Sequence, residues 1–416
     1  MRHSRRVVIT GLGVVAPNGI GKDAFWENLV AGNSAVDYIS AFDASSYPCR
    51  VAAEVKNFTP TDFMHARRTK TMARFSQFAV AATRLALDDS KLAITPQLSG
   101  RVSVAYGTSV NGGGDIAADA WTTMMREGVE AVQPWSALEY PSHAATSYLA
   151  IEFGIKGPAI SISSNCCTGI DAIEVGSTQI REGNVVIAVA GGCDAPIFPL
   201  SFGAFCALGA LTSRNDAPEK ASRPYDYLRD GLVIAEGAAT LVLEDLEFAI
   251  DRGAHIYAEV LGHGGASEAI NMRKGDLTGK VMGAAISKAL NSARLSPSDI
   301  DHINAHGSSL PDYDICDSNA FKEALGKHAY GVPISSIKSM IGQPVSAAGT
   351  IQAAAACLSI QHQIVPPTIN QEVPDPQCDL DYVPNRSRVA RVRRVLINGH
   401  SFGGSVAALV LGQPDG

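Results

Sequence analysis

Short apolar runs and longer alanine-rich stretches alternate along almost the whole chain. The runs VVIT, RVSVAYG, AISIS, VVIAVAGG, TLVLE, IYAEVLG, HINAHG, VLING and AALVLG are short, apolar and strand-like, which predicts buried strands. Between them, FSQFAVAATRLALDDS and GKVMGAAISKALNSA repeat their apolar positions with helical period. Strand and helix in alternation predict an α/β protein with buried sheets. No low-complexity tract, fixed-period repeat or obvious linker interrupts the pattern. The one soft boundary falls near residues 250–265, inside LVLEDLEFAIDRGAHIYAEVLGHGG.

Composition narrows the classes of function. With 416 residues, 46% of them hydrophobic, the chain can build a large core as two domains or one large layered unit. A formal net charge of −7 argues against a nucleic-acid binder that relies on a globally basic surface, so charge is read segment by segment. The start, MRHSRRVVITGLGVV, imitates a secretory signal, but Gly11 and Gly13 interrupt its apolar stretch and no small-residue cleavage pattern follows. No apolar run approaches the roughly 18 residues that span a bilayer. The eight cysteines show no C-x-x-C spacing, which speaks against structural zinc or a disulfide framework and fits a reducing cytoplasm.

Two stretches raise questions of chemistry. Gly11 to Ala16 matches the dinucleotide pattern G-x-G-x-x-G/A, yet Pro17-Asn18-Gly19 breaks the helix that should begin there and face a pyrophosphate. At residues 161 to 171, SISSNCCTGID sets Cys166 and Cys167 at the junction of a buried strand and a helix marked by Ile170, Ile173 and Ile180. A thiol at a helix N-terminus feels the positive end of the dipole, which lowers its pKa from about 8.5 toward neutrality. The two thiols point in different directions, so at most one faces a pocket; the bland alternative is a pair of buried structural cysteines.

Three downstream stretches, NAHGSSLPDYDICD, SSIKSMIGQPVSAAG and INGHSFGGSVAALVLG, decide between these readings. With them the chain resembles a β-ketoacyl-ACP synthase of the thiolase superfamily from VVITGLGVV to its last strand. FWENLVAG, ASRPYDYLRDGLVIAEGAATLVLED and CDLDYVP bring it closest to the ketosynthase subunits of type II polyketide systems. The resemblance implies a thiolase-like α/β fold of two similar αβαβα-layered halves, a nucleophile-bearing one over residues 1–255 and a histidine-bearing one over 256–416. It makes Cys166 of C-x-x-G the nucleophile, leaving Cys167 as a packed neighbour. His306 of N-A-H-G becomes the first catalytic histidine and Lys338 the lysine of K-S-x-x-G. Asp317 occupies the place of a supporting glutamate. Backbone N–H groups of Cys166 and Phe402 would stabilise the oxyanion, with Gly403 and Gly404 permitting close approach. Ser308, Leu310 and His400 fall along the substrate path.

The chain departs from the family pattern at several of these positions. The second histidine of G-H-x-x-G-A-x-G is Gln343 here, with Pro344 and Ser346 also atypical; an amide donates a hydrogen bond but cannot become cationic or relay a proton. His400 stands where an N-S-F-G-F-G-G loop commonly carries a gating phenylalanine, either as a replacement imidazole or as an ordinary loop histidine. Leu310 replaces a threonine that the pattern often places near the phosphopantetheine arm.

Arg67, Arg68, Lys70 and Arg74, with no acid among them, would suit an acidic acyl carrier protein, whereas Arg386 to Arg394 read as a surface strand or loop. The resemblance therefore implies an acyltransferase that loads an acyl group on Cys166 and condenses it with malonyl carrier. No metal or cofactor beyond the carrier's phosphopantetheine is expected. A homodimer, or a heterodimer with a chain-length-factor-like subunit, is the implied assembly. The alternatives are a fatty-acid 3-oxoacyl-ACP synthase, a priming acyltransferase that decarboxylates poorly, and a non-catalytic chain-length-factor-like subunit, against which Cys166 and His306 both argue.

Overall fold

The computed structural model describes residues 5–110 and 113–414. Among the described residues, ten strands form the ordered path of the main sheet. In the first half they are β1 (Val7–Ala16), β2 (Val102–Gly107), β3 (Ala159–Ile162), β4 (Ile187–Asp194) and β5 (Gly237–Asp245). In the second they are β6 (Ala258–Ser267), β7 (His302–Asn304), β8 (Ile334–Ser335), β9 (Arg394–His400) and β10 (Ser405–Gly412). Their spatial order is β8-β7-β9-β10-β6-β1-β5-β4-β2-β3, with the two-residue strand Gly19–Ile20 paired onto β1. Each half thus repeats one arrangement, 1-5-4-2-3, and the halves join where β1 meets β6 through Val8–Glu259 and Ile9–Ala258. The pairing sense repeats as well: β2 with β3 and β4 is parallel, as β7 is with β8 and β9, and the remaining pairs are antiparallel.

Among the helices of the described residues that cover these strands are α1 (Arg74–Ser90), α2 (Thr168–Arg181), α3 (Lys280–Ala293), α4 (Pro311–Leu325) and α5 (Ala348–His362). The G-x-G of β1 serves packing. A Cβ on Gly13 would stand 1.8 Å from the Ala82 carbonyl oxygen of α1, and β6 repeats the device, because a Cβ on Gly264 would stand 2.1 Å from the Ala285 oxygen of α3. β1 stays extended to Ala16, so no helix starts at its glycines. Small residues on helix and strand let the two backbones touch, which buries β1 completely.

Helices α2 and α5 fill the layer between the halves. All of α5 from Ala348 to Ile360 is buried, which accounts for its lack of a polar face. The two helices meet at their N-terminal ends through Gly169 and Gly349, where a Cβ on either would come within 2.6 Å of the other helix's backbone. These are the glycines of C-x-x-G and of the Gln343 stretch, so backbone contact between two motifs draws Cys166 toward Gln343.

One expectation is corrected. AISIS, read as a buried strand, forms the outer edge of the sheet as β3, with Ala159, Ile160 and Ser161 exposed. β-Branched residues suit an edge as well as a centre, and sequence does not reveal which neighbour is missing. The Arg386 to Arg394 cluster does run along the surface, as the exposed strand Arg388–Val389 and the start of β9.

Candidate active site

β3 delivers the chain into a 3-10 turn, Asn165–Cys167, from which α2 begins. Asn165 adopts a left-handed φ of 55°, a conformation that asparagine tolerates better than most residues. The turn aims the two cysteines apart. Cys166 lines an inner chamber, with its sulphur 3.5 Å from Asn165 Oδ1 and 3.7 Å from Gln343 Nε2. Cys167 packs into the core, where its thiol donates to the Ser405 carbonyl at 3.3 Å and its N–H to Ser401 Oγ at 3.0 Å.

Burial outweighs the helix terminus at both thiols. It pushes Cys166 up to about 12 despite the opposing charge of Lys338, and it raises Cys167 well above the ordinary range. The lowered thiol pKa expected from the helix N-terminus is therefore not found, because desolvation of the thiolate is the larger effect.

His306 follows β7. Its N–H donates to Asn398 Oδ1 at 2.9 Å, and its Nδ1 accepts the His400 N–H at 3.3 Å. An accepting Nδ1 places the ring proton on Nε2. Burial, then the nearby Lys338 and His400, depress its pKa well below normal, so the ring is a neutral donor through Nε2. Lys338 Nζ donates to the His306 carbonyl at 2.7 Å and to Gln352 Oε1 at 3.1 Å, and burial lowers it to about 8. Asp317 grips the same loop from the other side, accepting from Gly307 N–H at 2.8 Å, Asn398 Nδ2 at 2.8 Å and Tyr225 OH at 3.0 Å. Lysine and aspartate hold the histidine loop by separate bonds, and among the described residues they form no ion pair with each other.

The backbone of Gln343 is clamped on both edges: its N–H donates to Val233 at 2.8 Å and its carbonyl accepts from Ala235 at 3.0 Å. This fixes the direction of its amide toward Cys166. Its Oε1 has no partner among the described residues.

The chamber holds only about 10 Å³ of free space, roughly one water. Cys166, His306, Ser308, Leu310, Gln343, His400 and Phe402 all line it. Phe402, Leu310 and Tyr313 also bound an outer cavity of about 320 Å³, lined as well by the cations Arg273 and Lys274 and the acids Asp230 and Asp312, so they form the partition between the two. The Phe402 N–H makes no hydrogen bond among the described residues, and Gly403 and Gly404 beyond it both have positive φ, 91° and 80°.

Sequence reading did not find Tyr313, Arg273, Lys274 or the buried Glu268 beside His400. Tyr313 stands inside the NAHGSSLPDYDICD stretch with nothing to mark it, whereas Arg273, Lys274 and Glu268 belong to no quoted motif and only the tertiary structure brings them near. The basic cluster divides: Arg68 pairs with Glu152 and Arg74 with Glu236, while Arg67 and Lys70 are exposed and join no ion pair among the described residues. No helix among the described residues is long and apolar enough to cross a membrane.

Comparison with known proteins gives a concordant result. Residues 4–249 match the family model "Beta-ketoacyl synthase, N-terminal domain" and 257–372 match "Beta-ketoacyl synthase, C-terminal domain". The chain is 44% identical to the tetracenomycin polyketide synthase ketoacyl synthase alpha subunit of Streptomyces glaucescens, over 99% of this chain and 98% of that protein. It is 40% identical to 3-oxoacyl-[acyl-carrier-protein] synthase 2 of Coxiella burnetii, over 99% of both. Among solved structures, it superposes on a type II polyketide ketosynthase in complex with its acyl-carrier protein with a TM-score of 0.90 at 36% identity, covering 99% of this chain and 100% of that one. The ishigamide ketosynthase/chain length factor gives 0.93 at 35% identity, with the same coverage.

Proposed function

Because the chain belongs to the β-ketoacyl synthase family, we propose that it is a polyketide ketosynthase. It would take an acyl group from a carrier protein onto Cys166 and condense it with a malonyl carrier. The observation that carries this reading is the placement of Cys166, at a helix N-terminus in a closed chamber, facing the neutral His306 and the amide of Gln343.

In the first step Cys166 sulphur attacks the carrier thioester, and its proton ends on the departing carrier thiol. The Gln343 amide and the Lys338 charge favour the thiolate against burial. In the second, the bond between the malonyl α-carbon and its carboxylate breaks, CO2 leaves, and the electron pair moves into the enolate. His306 Nε2–H is placed to donate to the enolate oxygen. The α-carbon then attacks the acyl carbonyl on Cys166, with the N–H groups of Cys166 and Phe402 holding the oxyanion. Collapse releases the 3-oxoacyl carrier and returns the Cys166 thiolate, which takes up a proton.

The carrier's phosphopantetheine arm would enter by the outer cavity, its phosphate near Arg273 and Lys274, with Phe402 opening the partition. Arg67 and Lys70 offer free cations to an acidic carrier. The acyl chain would pass Phe205, which borders both the inner chamber and an apolar cavity of about 350 Å³ lined by Val110, Phe198, Leu200 and Leu208.

A second subunit, either a copy of this chain or a chain-length-factor-like partner, would cover the bare edge of β3 and the exposed Trp121, Met125, Leu138, Tyr140 and Leu200. The division at 255 and 256 separates the half that carries the nucleophile from the half that carries the histidine. We place this chemistry in the cytoplasm, where the free cysteines would stay reduced. Gln343 keeps one rival open, a priming acyltransferase that loads Cys166 without decarboxylating malonyl carrier. Intact-protein mass spectrometry with acyl and malonyl carriers, scored together with CO2 release, tests both. Acyl-enzyme plus CO2 supports condensation, and acyl-enzyme without CO2 supports the rival.

A further inference from the structure

His400 closes β9 and lines the inner chamber. Its ring centroid lies 4.3 Å from that of Tyr313 and 6.2 Å from that of His306. Its Nε2 is 3.1 Å from Oε1 of Glu268, and both side chains are wholly buried. The contact is at ion-pair distance but falls short of hydrogen-bond alignment, and His400 Nδ1 and Glu268 Oε2 also have no hydrogen-bond partner among the described residues. Glu268 follows β6, and its N–H donates to the Gly404 carbonyl at 2.8 Å, which brings the carboxylate beneath the loop that carries His400. On another side the chain passes as Gly275, where a Cβ would stand 2.9 Å from His400 Cε1.

A buried polar group without a partner is costly, and no lysine or arginine pairs with Glu268 among the described residues. The ring nitrogen within reach of its Oε1 is Nε2 of His400. If residue 400 served only to fill space, a phenylalanine would do so without requiring a buried acid nearby. Catalytic hydrogen bonds are often poorly aligned before substrate binds.

We propose that His400, oriented by Glu268, is the second imidazole of this site, acting in place of the one absent at residue 343. The inference rests on the condensing reading above. As the malonyl C–C bond breaks and CO2 departs, the electron pair spreads onto the thioester oxygen, and His400 donates a hydrogen bond to it alongside His306. The proton stays with His400 when the new C–C bond draws the pair away. His400 is then a catalytic residue and Glu268 a positioning residue.

The test compares CO2 release from malonyl carrier with acylation of Cys166, using the full chain together with carrier and partner subunit. The expected result is that His400→Phe and the isosteric Glu268→Gln each lower the ratio of CO2 release to acylation at least tenfold, a change that a general loss of folding would not produce. Cys316→Ala is expected to keep the parent ratio, although its thiol lies 4.0 Å from Glu268 Oε1. A parent-like ratio in His400→Phe or Glu268→Gln overturns the inference alone. An equivalent of zinc in the parent, with the ratio lost in Cys316→Ala, overturns it in favour of a metal held by Glu268, Cys316 and His400. A parent that acylates Cys166 and releases no CO2 sinks the condensing reading and this inference with it.

Discussion

The Gln343 amide nitrogen stands 3.7 Å from the Cys166 sulphur, so the residue that replaces an expected histidine addresses the proposed nucleophile directly. An amide cannot neutralise a thiolate, but it can donate to one. A hydrogen bond to a charged group contributes about 1.5–3 kcal/mol, or roughly 10- to 100-fold in a rate that depends on the charged form.

Gln343→Ala is therefore expected to slow Cys166 acylation by about that factor. Gln343→Glu is expected to slow it further, because a carboxylate facing the sulphur opposes its ionisation. Stopped-flow acylation from a carrier thioester measures both. Parent-like acylation in Gln343→Ala would show that the amide plays no part in the step.

Cys166 and Cys167 differ in access rather than in chemistry. The first lines the chamber and the second is bonded into the core, so a small electrophile is expected to label Cys166 alone. Burial holds the Cys166 thiol at about 12, and the thiolate fraction of such a group rises about tenfold per pH unit through the neutral range. Iodoacetamide labelling, mapped by peptide mass, should accelerate by about that factor per pH unit, roughly a hundredfold from pH 7 to pH 9, without levelling off. Label on Cys167, or a plateau near pH 8.5, contradicts this account.

Cys166 and His306 were legible in the sequence as candidates because each sits in a short motif whose spacing is local. Of the supporting groups, Lys338 and Asp317 were legible through their motifs, whereas the partners that join them were not: Asn398 stands in a quoted stretch with no sign that it would bond His306, and Tyr225 and Glu268 show no role until the 222–232 loop and the end of β6 bring them to the site. The helix N-terminus could be read at Cys166, but the degree of desolvation could not, and desolvation decides the pKa. The glycines of β1 were visible as G-x-G, and Pro17 ruled out a nucleotide loop. Their use as the floor for α1 emerges only with the matching pair in β6. β3 was recognisable as a strand, yet its place at the edge depends on which strand lies beside it.

Carrier association should depend on Arg67 and Lys70 more than on the other two cations of the cluster, since Arg68 and Arg74 already face Glu152 and Glu236. Reversing charge with Arg67→Glu and Lys70→Glu together is expected to slow association several-fold and to flatten its salt dependence, with dissociation little changed. Surface plasmon resonance with immobilised carrier at two salt concentrations reads both rates. Unchanged association in the double variant would remove this surface from the docking model.

Stability should fall on the acid side through a histidine that takes no part in the chemistry. His302 Nδ1–H donates to the Pro333 carbonyl at 3.0 Å, its Nε2 has no partner among the described residues, and burial lowers its pKa from 6.5 to about 4. A depressed folded pKa means that the unfolded chain takes up a proton first. The contribution is intact above pH 6.5 and is lost as pH falls toward 4, at about 1.4 kcal/mol per unit and roughly 3 kcal/mol in all. His306, also depressed, adds a second proton to the same limb. His302→Asn keeps a donor for Pro333 and removes the titrating ring, so the slope of unfolding free energy against pH should drop by up to one proton between pH 6.5 and 4. Buried acids such as Asp317 are common to both proteins and cancel in the comparison. Urea titrations across that range give the two slopes, and identical slopes would mean that His302 is not held neutral by its burial.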